Sequence, residues 1–168
     1  MRRAAASSLV VVLLMLVSAC WLFDGSTSLE GLWQGVGAAI YSIQVWEGDE
    51  LIHEDTWEGS IELTFEIGSV ASDSVSGDWY WRDLTEGAQS AEPSAPLPFT
   101  GVAADGLLAL RTDDEQASPV PTEYTADFSF DATPDSLSGA GTYSEDGHSA
   151  EMRILFDLTI DEITLSKL

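Results

Sequence analysis

The stretch Ile61-Glu62-Leu63-Thr64-Phe65-Glu66-Ile67 decides the fold. Its large apolar side chains fall on every second residue, and the residues between them are polar. A period of two places the two sets on opposite faces of an extended chain, so this is a strand with one dry side and one wet side. The period recurs along the chain. Trp79 and Trp81 flank Tyr80, and Tyr124, Ala126, Phe128 and Phe130 alternate with Thr125, Asp127 and Ser129. Met152, Ile154, Phe156, Leu158 and Ile160 alternate in the same way with Arg153, Asp157 and Thr159. No segment after Val17 carries an apolar stripe at 3.6-residue spacing, which makes the expected fold class all-β.

Turn chemistry divides the strands. Gly48-Asp49, Gly68-Ser69, Asp105-Gly106 and Asp146-Gly147 read as short hairpin signals, since these residues tolerate the left-handed backbone of tight turns. Two connections, Glu86 to Pro96 and Asp113 to Pro121, are rich in Pro, Ser, Ala and acids and read as longer loops. The strands are then expected near 32–46, 52–67, 74–83, 97–103, 107–112, 122–131, 136–144 and 149–160. Eight strands joined mostly by short turns suit an antiparallel meander, and closing it into a barrel removes both exposed edges.

Upstream of the strands the chain has another character. Met1-Arg2-Arg3 is followed by an uninterrupted apolar run from Leu9 to Val17, then by Ser18-Ala19 and Cys20. A positive start, a short apolar centre and small residues describe a secretory signal peptide, and the run is shorter than the ~20 residues a spanning helix needs. Residues 1–19 are read as that signal, 20–30 as the modified cysteine with a tether, and 31–168 as the barrel domain. Val17-Ser18-Ala19-Cys20 also resembles the lipobox of prokaryotic lipoproteins. That resemblance implies a diacylglycerol on the Cys20 thiol, cleavage before it, and a protein held at the cell envelope by its acyl chains. Trp21 stands where many inner-membrane lipoproteins carry aspartate, which implies the outer membrane in a two-membrane host and the outer face of the cell membrane otherwise. A sole cysteine fits this reading, because lipidation leaves no odd thiol in an exported chain.

Charge narrows the partners. The chain has 29 acids against six Lys and Arg, a formal charge of −23; cleavage of the signal would remove Arg2 and Arg3 and no acid, giving −25. With no basic stripe to neutralise phosphates, nucleic acid is excluded as a partner. Anionic headgroups would repel the domain, so attachment would rest on acyl chains. The acids are spread along the chain, which fits a solvated surface better than a cation-binding face.

The opening Gly31-Leu32-Trp33-Gln34-Gly35 resembles the G-x-W start of lipocalins and their bacterial relatives. Ser76-Gly77-Asp78-Trp79, Phe99-Thr100-Gly101, Gly106-Leu107-Leu108-Ala109-Leu110 and Ser138-Gly139-Ala140-Gly141-Thr142-Tyr143 resemble strand edges of lipocalin-like and avidin-like barrels. The resemblance spans residues 31–160 and implies an eight-stranded barrel. Lipocalins also set a late arginine against the opening tryptophan and carry a helix after the last long strand. Arg153 is the only late arginine here, and no helical pattern follows.

An eight-stranded barrel either fills with side chains or holds one small ligand. The candidate pocket-lining residues are Trp33, Phe65, Trp79, Trp81, Phe128 and Phe156, whose rings would either enclose a small hydrophobic molecule or plug the core. His53 and His148 match no zinc spacing, and neither Asp113-Asp114-Glu115 nor Glu145-Asp146 has the oxygen spacing of a calcium loop. There is no G-x-S-x-G and no phosphate-binding glycine loop. The sequence therefore reads as a non-enzymatic lipoprotein without cofactor or metal. Its barrel takes an apolar ligand or works through its outer surface, the remaining alternative being an enzyme whose residues no motif marks.

Overall fold

The protein is described by a computed structural model over residues 28–85, 92–116 and 120–168. The signal sequence and Cys20 lie outside these residues, as does most of the tether.

Eight strands follow one another: β1 (Gly31–Glu47), β2 (Glu50–Ala71), β3 (Ser74–Asp83), β4 (Leu97–Ala104), β5 (Leu107–Gln116), β6 (Thr122–Ala132), β7 (Ser136–His148) and β8 (Met152–Lys167). Each pairs antiparallel with the next, and β8 returns to β1, closing the barrel. No helix occurs among the described residues. The all-β meander expected from the period of two is what the chain forms.

The period also fixes what lies inside. Ile61, Leu63, Phe65 and Ile67 are each at most 2% exposed, whereas Glu66 faces solvent. Register aligns the largest rings: Trp33 sits opposite Phe65 and Phe65 opposite Trp79 across β1, β2 and β3. Phe128 lies opposite Gly141, where a Cβ would overlap the phenyl ring, so the glycine leaves room for that aromatic.

Four boundaries differ from the sequence expectation. Gly68-Ser69 is not a turn. It sits at an irregularity inside β2, and the β2–β3 turn falls at Ser72-Asp73, with Ser72 in the left-handed region at φ 56°. Asp146-Gly147 stays within β7, because Ser149 builds the turn, its hydroxyl accepting from the Met152 amide at 2.9 Å. β5 runs on through Gln116, so Asp113–Gln116 is strand and not loop. β8 reaches Lys167 where the alternation suggested an end at Ile160. A bulge at Asp161-Glu162 turns two successive residues outward and brings Ile163 and Leu165 back into the core. By contrast, Gly48 and Asp105-Gly106 take positive φ in tight turns as expected.

The two ends of the barrel are built differently. The lower end carries the tight turns after β2, β4 and β6, and both the entry at Gly31 and the C terminus. The upper end carries the β1–β2 hairpin, the β3–β4 and β5–β6 connections and the β7–β8 turn. At the upper end β3 stops at Asp83 and β4 starts at Leu97, so β1 and β2 rise above them as an overhanging hairpin.

Candidate functional site

The six aromatic residues picked out from sequence do not share one environment. Trp33, Phe65 and Trp79 are fully buried and Phe128 is 4% exposed. They and their neighbours fill the barrel with rings. Phe65 meets Trp79 at 5.9 Å, Phe128 at 5.1 Å and Phe130 at 5.6 Å between centroids, while Phe128 meets Trp79 at 4.9 Å. Offset and edge-on contacts of this kind strengthen a core beyond simple burial.

Trp81 and Phe156 stand higher. They stack on each other at 5.8 Å and 11°, and both remain partly exposed. Tyr41 stacks on Trp57 beside them at 5.3 Å. Tyr143 links the two levels, 5.4 Å from Trp79 below and 6.2 Å from Trp81 above. The structure therefore brings Trp81 and Phe156 together at the mouth and puts Trp33, Phe65, Trp79 and Phe128 in the filled interior.

Hydrogen bonding follows the same division. The Trp33 indole donates to the Leu29 carbonyl at 2.7 Å. The Trp79 indole donates to Thr112 Oγ1 at 2.8 Å, and Thr112 passes its own proton to the Pro98 carbonyl at 2.9 Å. These bonds explain how a threonine 1% exposed is tolerated in an apolar interior. Trp81 is the exception: its Nε1 is buried and has no partner among the described residues. An orphaned donor of this kind costs roughly 1–3 kcal/mol, so it marks a place where the mouth is incompletely satisfied.

A cleft of about 380 Å³ opens at this end between β6, β7 and β8. Val120, Met152, Ile154 and Phe156 supply its apolar wall, with Thr122, Gly147 and Ser149 beside them. Met152 and Ile154 are each 42% exposed and Val120 40%, so the cleft presents three bare hydrophobic side chains. Glu145 is the one charged residue lining the cleft, and the Tyr143 hydroxyl donates to its Oε2 at 3.2 Å. Burial, reinforced by Glu145, holds the Tyr143 phenol above its ordinary range. Tyr41 is raised likewise, first by burial and then by Asp83, to which it donates at 3.3 Å.

Around the rim the cations are already engaged. Arg153 donates to both oxygens of Asp146, at 2.9 and 2.6 Å, and lies over the Trp46 ring at 5.0 Å. Its guanidinium holds the Asp146 carboxyl below the usual range. His148 also approaches Asp146, with Nε2 3.2 Å from Oδ1. His53 is exposed on the overhanging hairpin. No three His, Cys, Asp or Glu side chains converge among the described residues.

Sequence reasoning missed one functional neighbour of Trp33. The cation over its ring is Lys167, at 5.5 Å, and not Arg153. Lys167 is the only lysine in the chain, which was the available signal, but it lies past the point where β8 was expected to end. Lys167 also donates to the Ser28 carbonyl at 2.5 Å, fastening the end of the tether to the lower end of the barrel.

Compared with known proteins, the chain matches no family model and no curated protein.

Proposed function

We propose that this is a lipid-anchored protein of the cell envelope whose filled barrel takes a small apolar ligand in the cleft at its mouth. The cleft carries the reading. It is the place where exposed Val120, Met152 and Ile154 gather beside half-buried Phe156, and apolar surface of this kind on a charged protein marks a binding site. The barrel's depth, where Trp33, Phe65 and Trp79 are fully buried, is left as a scaffold.

The anchor reading rests on Val17-Ser18-Ala19-Cys20 and on the acidity of the domain, which anionic headgroups would repel. Residues 28–30 join the barrel at its lower end, so a lipid on Cys20 would leave the cleft at the far end, facing away from the headgroups. The location is the outer membrane in a host with two membranes and the outer face of the cell membrane otherwise. Cys20→Ser should move the protein from the membrane fraction to the soluble or unprocessed pool. Membrane binding with unchanged mass would refute the anchor. For the cleft, calorimetric titration with octanol should show saturable binding that Ile154→Ser weakens, the exposed position allowing the variant to fold.

A second reading is favoured by the packed interior: a filled barrel that works through its outer surface against another protein. Octanol would then not bind saturably.

A further inference from the structure

We infer that the ligand of the mouth cleft is an apolar ammonium, its hydrocarbon part against Val120, Met152, Ile154 and Phe156 and its cationic nitrogen on Glu145. This rests on the cleft being a binding site and adds the chemical class of what it binds. Three observations on separate residues support it.

The first is the placement of charge within the cleft. Its walls are apolar except for a few small polar residues and one carboxylate, Glu145, fixed by the Tyr143 hydroxyl at 3.2 Å. A carboxylate held beside apolar walls is only partly hydrated, and a ligand that brings a positive N–H donor to it makes a charge-assisted hydrogen bond. A neutral alcohol makes a weaker bond there, and a fatty acid anion meets repulsion.

The second is the absence of a competing cation. Arg153 is bidentate to Asp146 and covers Trp46, and Lys167 is at the opposite end over Trp33. Arg82 is paired with Glu62. The sequence of the connections 86–91 and 117–119 adds one acid, Glu86, and no base. The upper connections and strand ends contribute Glu47, Asp49, Glu50, Asp83, Asp114, Glu123 and Glu151. A mouth of net negative charge, its rim cations already paired and its walls of low dielectric, concentrates counter-charged molecules.

The third is the ring behind the wall. Phe156 is stacked on Trp81, and Tyr143 packs against both. Aromatic faces near a carboxylate suit an ammonium and its attached methylenes better than they suit an anion.

The test uses the soluble barrel domain secreted from its own signal with Cys20→Ser, titrated calorimetrically with octylammonium, octanol and octanoate. Octylammonium should bind about tenfold more tightly than octanol, the size of one charge-assisted contact at a half-exposed site, and octanoate more weakly than either. Glu145→Gln keeps an acceptor for Tyr143, and it should bring octylammonium down to the octanol affinity while changing octanol binding far less. Equal binding of all three probes, or a preference for octylammonium that survives Glu145→Gln, would overturn the inference while leaving the apolar cleft in place. The surviving preference would show that general charge attraction is responsible. If none of the three binds saturably, the cleft reading fails and this inference with it.

Discussion

The lower and upper halves of this barrel are made from the same strands and the same kinds of ring, yet they are finished differently. In the lower half the rings that face inward are buried, and the Trp33 and Trp79 indoles each have a hydrogen-bond acceptor. In the upper half Trp81 and Phe156 are partly exposed, the Trp81 indole has no acceptor among the described residues, and carboxylates stand beside the phenols of Tyr41 and Tyr143. An orphaned donor costs free energy, and among the described indoles only that of Trp81 bears this cost. Under the proposed function, the upper end is the part that meets the ligand.

The largest test of the contrast is truncation. Phe65→Ala removes a fully buried ring touching four others and should cost about 3–5 kcal/mol in denaturant unfolding. Ile154→Ala, at a side chain 42% exposed in the mouth, should cost less than about 1 kcal/mol. Similar losses at the two sites would break the distinction between sealed and open halves. A smaller effect is expected from Thr112→Val, which keeps the shape but strips the Trp79 indole of its acceptor and the Pro98 carbonyl of its donor. It should cost roughly 1–3 kcal/mol.

The mildest perturbation is alkaline pH. Tyr41 and Tyr143 are held above the ordinary phenol value of 10.0, first by burial and then by Asp83 and Glu145. Above pH 10 the unfolded chain therefore loses these protons while the folded barrel keeps them. Stability from these groups is fully present below pH 10 and declines as pH rises past it. Denaturant midpoints measured from pH 8 to 11 should fall, and the fall should shrink in Tyr143→Phe.

Most of the fold was legible in the sequence because the signal was physical and repeated. A period of two over Ile61–Ile67 allows one dry face, and eight such runs with short turns close most simply into a barrel. What escaped was set by side chains acting across strands. The bulge at Asp161-Glu162 breaks the alternation, so β8 was expected to stop before Ile163 and Leu165, both buried, and before Lys167. Asp146-Gly147 has the composition of a turn, but Asp146 is occupied by Arg153 and His148 from within the strand pairing. The candidate site was legible only in part. Residue type marked six rings but could not say which would lie deep. Depth depends on register, which aligns Trp33, Phe65 and Trp79 at one level and lifts Trp81 and Phe156 toward solvent. Glu145, the one charge in the cleft, was indistinguishable in sequence from its 28 fellow acids.

The division between a sealed depth and a receptive mouth can be read directly from the indole N–H resonances in ¹H–¹⁵N spectra during titration with octylammonium. The Trp81 resonance, from the indole stacked on Phe156, should shift progressively to saturation, while those of Trp33 and Trp79 stay in place. Movement of the Trp33 and Trp79 resonances with Trp81 unchanged would place the ligand in the depth of the barrel and contradict this account.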